Sequence, residues 1–472
     1  MVEQLKIALP KGRLLTETAA LLDSAGWGRS DYQEGMRSYR LSARKFPGIL
    51  AKVFQEKDIP IQVAVGNYDL GICGLDWVEE LLVKYPSSAL VKLKNLDYGQ
   101  GAIFAVASRS ETVPALAAMQ RKDIVRLASE YPNLAESFAL QLRLRRFSVF
   151  PVWGAAEAYP PESADLALLA GKEGAEIFNH GLVAVDCVLG FSACIIANKY
   201  SWENKDLSRI LASLEGKLPA VTECPVSGTA KLKKTPRPYP AKVAPDTVRL
   251  ALPDGHQQSH TLQLLTEAGI KIKDYPSATG NRRPAIGLPG VTVKVIRPQD
   301  MPLQVANGNF DLAITGRDWL TEHLDQFPSS PVTDLLDLKS GRVRMVAVVS
   351  NDLPVTDAYG LQQCCASRKT PVRIASEYAN IADKYAQDNR LGMYRVIPTW
   401  GATEAFLPED ADLLIENTET GRTIARHNLK IIDTLFESTA CLVGNKDSVI
   451  SPAKGNKIGS IVEKLRSAVE GK

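Results

Sequence analysis

The chain has 472 residues, of which 45% are hydrophobic and 23% charged, with a formal net charge of +3. That length sets two to four domains with real cores in an ordinary globular composition. No basic run dominates, which argues against a nucleic-acid partner. No stretch reaches the roughly 18 apolar residues of a membrane span, and the first residues lack the charged-then-apolar order of a signal peptide. The seven cysteines are odd in number and form no Cys-x-x-Cys pair, which suits a reduced, cytoplasmic protein. His256 and His260 stand four apart with no acidic or Cys ligand beside them, so they read as a surface helix, and no protein metal site is expected.

In chain order, residues 5–9 form an apolar run that predicts a strand, and the apolar spacing over 14–25 predicts a helix. Residues 69–73 read as a strand closed by Gly74, 77–83 as a helix, and 103–107 as a strand. A helix over 134–142 and strands over 147–152 and 166–169 follow, with a further helix starting at 177–180. This alternation predicts an α/β fold with largely parallel sheet. Residues 215–247 hold six prolines among several lysines and read as an extended linker. The second half then repeats the first. Gln62–Trp77 returns as Gln304–Trp319, Trp153-Gly-Ala-Ala-Glu-Ala as Trp400-Gly-Ala-Thr-Glu-Ala, and Ala8-Leu-Pro as Ala251-Leu-Pro. The spacing stays between 242 and 247 residues, which is a duplicated domain rather than a short solenoid repeat. We divide the chain into copy 1 (1–214), the linker (215–247) and copy 2 (248–472). Each copy is long enough for two lobes of about 100 residues, with a cleft between them as the default ligand site. A last helix is expected over 458–469.

The copies differ where chemistry is expected. In copy 2 an apolar strand runs into Glu416-Asn-Thr-Glu-Thr-Gly-Arg-Thr423. Backbone N–H groups, the hydroxyls of Thr420 and Thr423, and the permissive Gly421 beside Arg422 make a cradle for a phosphate monoester. Glu416 and Glu419 are placed to accept hydrogen bonds from ribose hydroxyls. The competing reading is a helix capped by Thr420 with no ligand. In copy 1 the aligned positions are Leu169, Lys172, Glu173 and Glu176, and the two added carboxylates would repel a phosphate. The opposite holds at the start of each copy. Copy 1 presents Lys11 and Arg13 on a strand-to-helix turn, where copy 2 has Asp254 and His256. Solvated surface charge is the plain alternative for Lys11 and Arg13.

Together these residues resemble the ATP phosphoribosyltransferases of histidine biosynthesis. The resemblance rests on Ala8-Leu-Pro-Lys-Gly-Arg-Leu14, Asp69-Leu-Gly-Ile-Cys-Gly-Leu-Asp76 and Ser129-Glu-Tyr-Pro-Asn-Leu-Ala135. In copy 2 it rests on Asp311-Leu-Ala-Ile-Thr-Gly-Arg-Asp318, Ser376-Glu-Tyr-Ala-Asn-Ile-Ala382 and Glu419-Thr-Gly-Arg-Thr-Ile424. The resemblance implies two tandem copies of a two-lobed unit like the type II periplasmic binding proteins. It implies transfer of ribose 5-phosphate from phosphoribosyl pyrophosphate (PRPP) to N1 of ATP, with Mg²⁺. It places PRPP on Glu416 and Glu419–Thr423, and Thr315, Gly316 and Asp318 along the substrate cleft. Glu377, Tyr378 and Asn380 are further candidates for the cleft, or simply a helix start. Short family members use a separate regulatory subunit resembling histidyl-tRNA synthetase, so such a partner is implied alongside an intramolecular pseudo-dimer, with further homo-oligomers left open. In the short form the Arg of the Lys-Gly-Arg turn is expected to act across the dimer. On that basis Lys11 and Arg13 of copy 1 would complete the cleft of copy 2 as one composite site, with Arg40 as a further candidate. A non-catalytic regulatory or ligand-binding relative on the same scaffold is the alternative.

Overall fold

A computed structural model describes residues 4–27, 32–36, 39–42, 48–109, 119–172, 181–215, 244–366 and 368–471. Most of the linker, the helix start expected at 177–180, and the copy 1 loop residues Glu173 and Glu176 lie outside the described residues.

Each copy folds into two α/β lobes. In copy 1 the first lobe carries strands in the order Arg40–Ser42, Ile49–Gln55, Leu5–Lys11, Leu70–Gly74, Ala193–Asn198, Leu90–Asn95. Its second lobe is ordered Leu182–Phe191, Gly101–Ser108, Leu166–Gly171, Val125–Ser129, Phe147–Pro151. Copy 2 repeats the second sheet and the five inner strands of the first in the same register, but lacks the edge strand Arg40–Ser42 and has a separate two-stranded sheet, Ile272–Lys273 with Ala285–Ile286. Ile7 pairs with Leu70 in copy 1, and Leu250 pairs with Leu312 in copy 2. In both copies the chain leaves the first lobe, builds the second, and returns in a strand that pairs antiparallel beside the central strand. This is the two-lobed, type II periplasmic-binding-protein-like unit, present twice. The sheets are mixed rather than largely parallel, because each return strand and each crossing strand must run against its neighbours.

The local code is plain where periodicity is strong. The last helix, Gly455–Glu470, buries Ile458, Ile461, Leu465 and Val469, one stripe at helical spacing. The central strand Leu70–Gly74 is buried at every position and reads as an unbroken apolar run, as a strand covered on both faces must.

The copies pack head to tail. Phe54, Ile59, Tyr68 and Cys73 of the first lobe of copy 1 share one core with Val346, Phe406, Leu407 and Leu414 of the second lobe of copy 2. Val106, Val152 and Tyr159 pair likewise with Ile296, Met301 and Phe310. The ion pairs across this seam repeat with pseudo-twofold symmetry. Lys52 Nζ lies 2.8 Å from Glu409 Oε2, and its counterpart Lys294 lies 2.9 Å from Glu162 Oε2. Arg40 pairs with the same Glu409, and its counterpart Arg283 reaches Glu162 Oε1 at 2.7 Å. Arg40 is therefore a seam residue, a correction to its candidacy for the cleft.

Among the described residues no helix is long and apolar enough to cross a membrane, and the six described cysteines are free thiols.

Candidate functional site

The cleft of copy 2, about 600 Å³, lies between its lobes and brings together most of the predicted residues. Its outer wall is the loop after strand Leu413–Thr418. Gly421 sits at φ 73°, a left-handed conformation that strains any side-chain-bearing residue, and it caps the short helix Arg422–Arg426. Thr418 Oγ1 accepts the Gly421 N–H at 2.9 Å and Thr420 Oγ1 accepts that of Arg422 at 3.4 Å. The cap is Gly421 itself, so Thr420 is not needed as an N-cap. The exposed Thr420, Arg422 and Thr423 side chains face the cleft, and Glu419 stands exposed at its rim.

At the foot of the loop three carboxyls converge. Glu377 and Glu404 have no hydrogen bond or ion pair among the described residues, and Glu416 Oε2 is buried without a hydrogen-bond partner. Burial, then the charges of Glu404 and Asp318, push Glu377 up to about 7. Burial, then Glu404 and Glu377, push Glu416 well above the carboxylate range. Such a group is suited to hydrogen bonding with vicinal hydroxyls, since it can both accept and donate.

The floor is a hinge network on Asp318, which is 4% exposed. Tyr378 Oη donates to Asp318 Oδ2 at 2.7 Å, Ser438 Oγ to Oδ1 at 3.1 Å, and Asn417 Nδ2 donates to Tyr378 Oη at 2.7 Å. This joins the two lobes. Gly316 is required here, because a Cβ would lie 2.0 Å from Asp318 Oδ1. The opposite wall carries Asp254, His256, His260 and Arg297. Asp254 holds Arg282 at 2.7 Å and Arg297 at 3.4 Å. Burial alone would raise Asp254, but these guanidiniums hold it below the usual carboxylate value. Arg297 is thus a cation that this wall presents to the cleft.

Several expectations need correction. Thr315 is fully buried and its hydroxyl donates to the Pro298 carbonyl at 2.9 Å, so it stabilises the strand end and does not line the cleft. Asn380 starts a helix by donating its backbone and side-chain N–H groups to Glu322 and lines a different cavity. Arg13 does not cross between copies. Its Nη2 donates to Asp76 Oδ1 at 2.7 Å and its Nε to Glu56 Oε2 at 3.0 Å, both in copy 1, over the ring of Phe191. Two buried carboxylates of its own copy outcompete any partner across the seam. Lys11 comes nearer: it bonds Tyr39 Oη at 3.1 Å, and Tyr39 stacks on His427 of copy 2 at 5.0 Å. It therefore supports the end of the loop helix from behind without lining the cleft. Sequence reasoning also missed Glu404, Asn417 and Ser438. Of these, Glu404 lies inside the repeated Trp400-Gly-Ala-Thr-Glu run and Asn417 inside the Glu416–Thr423 run, while Ser438 left no signal.

Copy 1 spends its own cleft on itself. Arg13, Asp76, Glu56 and Tyr131 form one closed network, with Tyr131 Oη 2.8 Å from Asp76. Removing the arginine leaves two buried carboxylates uncompensated. Arg13→Ala is expected to cost about 2–3 kcal/mol in urea unfolding, the low end for a broken buried pair because Arg13 is 38% exposed, with little change in turnover. A large loss of turnover with stability intact would return Arg13 to the site.

A family model described as ATP phosphoribosyltransferase matches residues 55–216 and again 297–467. The ATP phosphoribosyltransferase of Desulfatibacillum aliphaticivorans is 33% identical over 227 residues, covering 48% of this chain and 73% of that protein. That of Chlorobaculum parvum is 32% identical over 234 residues, covering 48% and 72%. Among solved structures, the ATP phosphoribosyl transferase (HisG:HisZ) complex from Thermotoga maritima is 23% identical, covering 48% of this chain and 100% of that one, with a TM-score of 0.39.

Proposed function

Because the chain belongs to the ATP phosphoribosyltransferase family, we propose that it transfers ribose 5-phosphate from PRPP to N1 of ATP in one cleft, that of copy 2. The observation that carries this reading is the intact loop Thr418–Thr423 lining the same cleft as Arg297, while in copy 1 Arg13 is bound to that copy's own Asp76 and Glu56. The adenine N1 lone pair attacks the ribose C1, the bond from C1 to the pyrophosphate oxygen breaks, and pyrophosphate leaves. N1 needs no base to free its lone pair, so positioning and charge stabilisation supply the rate. Thr420, Gly421 and Thr423 hold the 5-phosphate. Glu416 and Glu404 bond the ribose hydroxyls and fix C1. Arg297 faces the departing pyrophosphate.

Mg²⁺ fits this arrangement as a companion of the substrate. Among the described residues no cluster of three His, Cys, Asp or Glu side chains could hold a metal by itself. A Mg²⁺ ion bound together with the substrates would neutralise charge on the leaving group, and the exposed carboxylate of Glu419 at the rim of the cleft would be its partner on the protein.

The reading is tested by phosphoribosyl-ATP formation from the purified chain with ATP, PRPP, Mg²⁺ and pyrophosphatase. We expect product from the chain alone. PRPP binding without product would point to a separate regulatory subunit resembling histidyl-tRNA synthetase, and neither binding nor product would make this a non-catalytic member of the family.

A further inference from the structure

A second cavity of about 450 Å³ lies on the pseudo-twofold axis and is walled by both copies. Its two halves are built from corresponding residues: Lys57, Trp77 and Glu130 in copy 1, and Gln299, Trp319 and Glu377 in copy 2. In the copy 1 half a cation already sits in place. Lys57 Nζ lies 4.8 Å from the Trp77 ring centroid and 3.0 Å from Glu130 Oε2. An ammonium held between an aromatic face and a carboxylate is a complete cation-binding arrangement. In the copy 2 half the ring and the carboxylate remain, but glutamine stands where the lysine was. Gln299 Oε1 is buried without a hydrogen-bond partner, and no ion pair or hydrogen bond reaches Glu377 among the described residues.

We infer that the copy 2 half of this cavity binds an organic monocation with an aromatic or apolar body, its charge seated between the Trp319 ring and the Glu377 carboxylate, where copy 1 places its own Lys57. Trp153 lies 5.7 Å from Trp319 and 6.5 Å from Trp400, ring to ring, and these two tryptophans supply the apolar wall. The other carboxylates of the cavity are largely committed. Glu80 and Glu322 cap helix starts, and Asp300 accepts the Trp153 N–H. Asp58, buried beside Glu377 with one oxygen unpartnered among the described residues, is pushed well above the usual carboxylate range by burial and then by the charge of Glu377, which leaves Glu377 as the anionic partner of the site. The residues do not form a metal cluster, which favours an organic cation over a metal ion. Because Trp319, Gln299 and Glu377 also border the substrate cleft, an occupant would touch residues of both cavities.

The test uses benzylammonium as the probe on the full chain, followed by calorimetry and tryptophan fluorescence. One molecule binds per chain, and the neutral analogue benzyl alcohol binds at least about tenfold more weakly. Gln299→Lys tethers an ammonium in the site, as copy 1 does, and weakens the probe at least about tenfold. Lys57→Gln opens the copy 1 half and raises the stoichiometry to two. Both readouts are of binding, so they do not depend on the reaction. Should Gln299→Lys not fold, the Lys57→Gln stoichiometry and the alcohol comparison still decide. Absence of saturable binding, equal binding of the alcohol, or a stoichiometry unmoved by Lys57→Gln would overturn the inference.

Discussion

Thr420→Ala lowers turnover by about 10²–10³-fold, the scale of losing one preorganised group that holds a charged substrate. The side chain is exposed in the cleft, its backbone is held by a loop whose cap is Gly421, and among the described residues its hydroxyl takes part in one hydrogen bond, a long one accepted from the Arg422 N–H. Removing the hydroxyl therefore leaves the fold intact and takes a ligand from the phosphate. The loss should appear mainly in kcat/KM for PRPP. Lys172→Ala, at the aligned start of the copy 1 loop, leaves turnover unchanged. Steady-state kinetics on the two variants separate the copies, and equal insensitivity would mean that the copy 2 loop does not hold PRPP.

Lys52→Met destabilises the chain by about 3–5 kcal/mol in urea unfolding, the cost of leaving a buried charge without its partner. Lys52 and Asp410 are each 1% exposed, and Lys52 Nζ lies 2.9 Å from Asp410 Oδ2. Apart from Lys52, the Asp410 carboxylate keeps among the described residues only the Tyr68 hydroxyl, at 2.9 Å. The symmetry-related Lys294→Met costs less, about 1–2 kcal/mol. Its partner Glu162 is more open to solvent and keeps both nitrogens of Arg283 at 2.7 and 2.8 Å. The difference matters for activity, because the Lys52 cluster seats the lobe of copy 2 that carries the phosphate loop. Equal losses from the two substitutions would mean that the seam does not rank its ion pairs by burial.

The duplication and the α/β class were legible because they are local or repeated signals, and the run Glu416–Thr423 singled out in the sequence lines the copy 2 cleft. Strand Leu70–Gly74 and the final helix announce themselves by apolar run and stripe. The mixed sheets were not legible, because the direction of the return strands depends on a connection through the other lobe. Arg13 was misplaced for a related reason. Whether it reaches across the seam is decided by Glu56 and Asp76, 43 and 63 residues away, whose need for a counter-charge no motif displays. Thr315 was misplaced by half a strand pitch: it belongs to the motif, but its side chain points into the core and bonds Pro298. Arg297 and Gln55 stand at corresponding positions, yet only the folded seam gives each a setting. Arg297 packs over Gly154 of copy 1, where a Cβ would lie 2.9 Å from its Nε, and Gln55 lies beside Gly401 of copy 2.

The central claim is one working cleft in a duplicated chain, and the most direct test is the stoichiometry of PRPP binding in the presence of Mg²⁺, measured by calorimetry on the wild-type chain and on Thr420→Ala. We expect one PRPP per chain, and at least about a hundredfold weaker binding for the variant. Two equivalents per chain, or one equivalent that survives Thr420→Ala unchanged, would contradict the account.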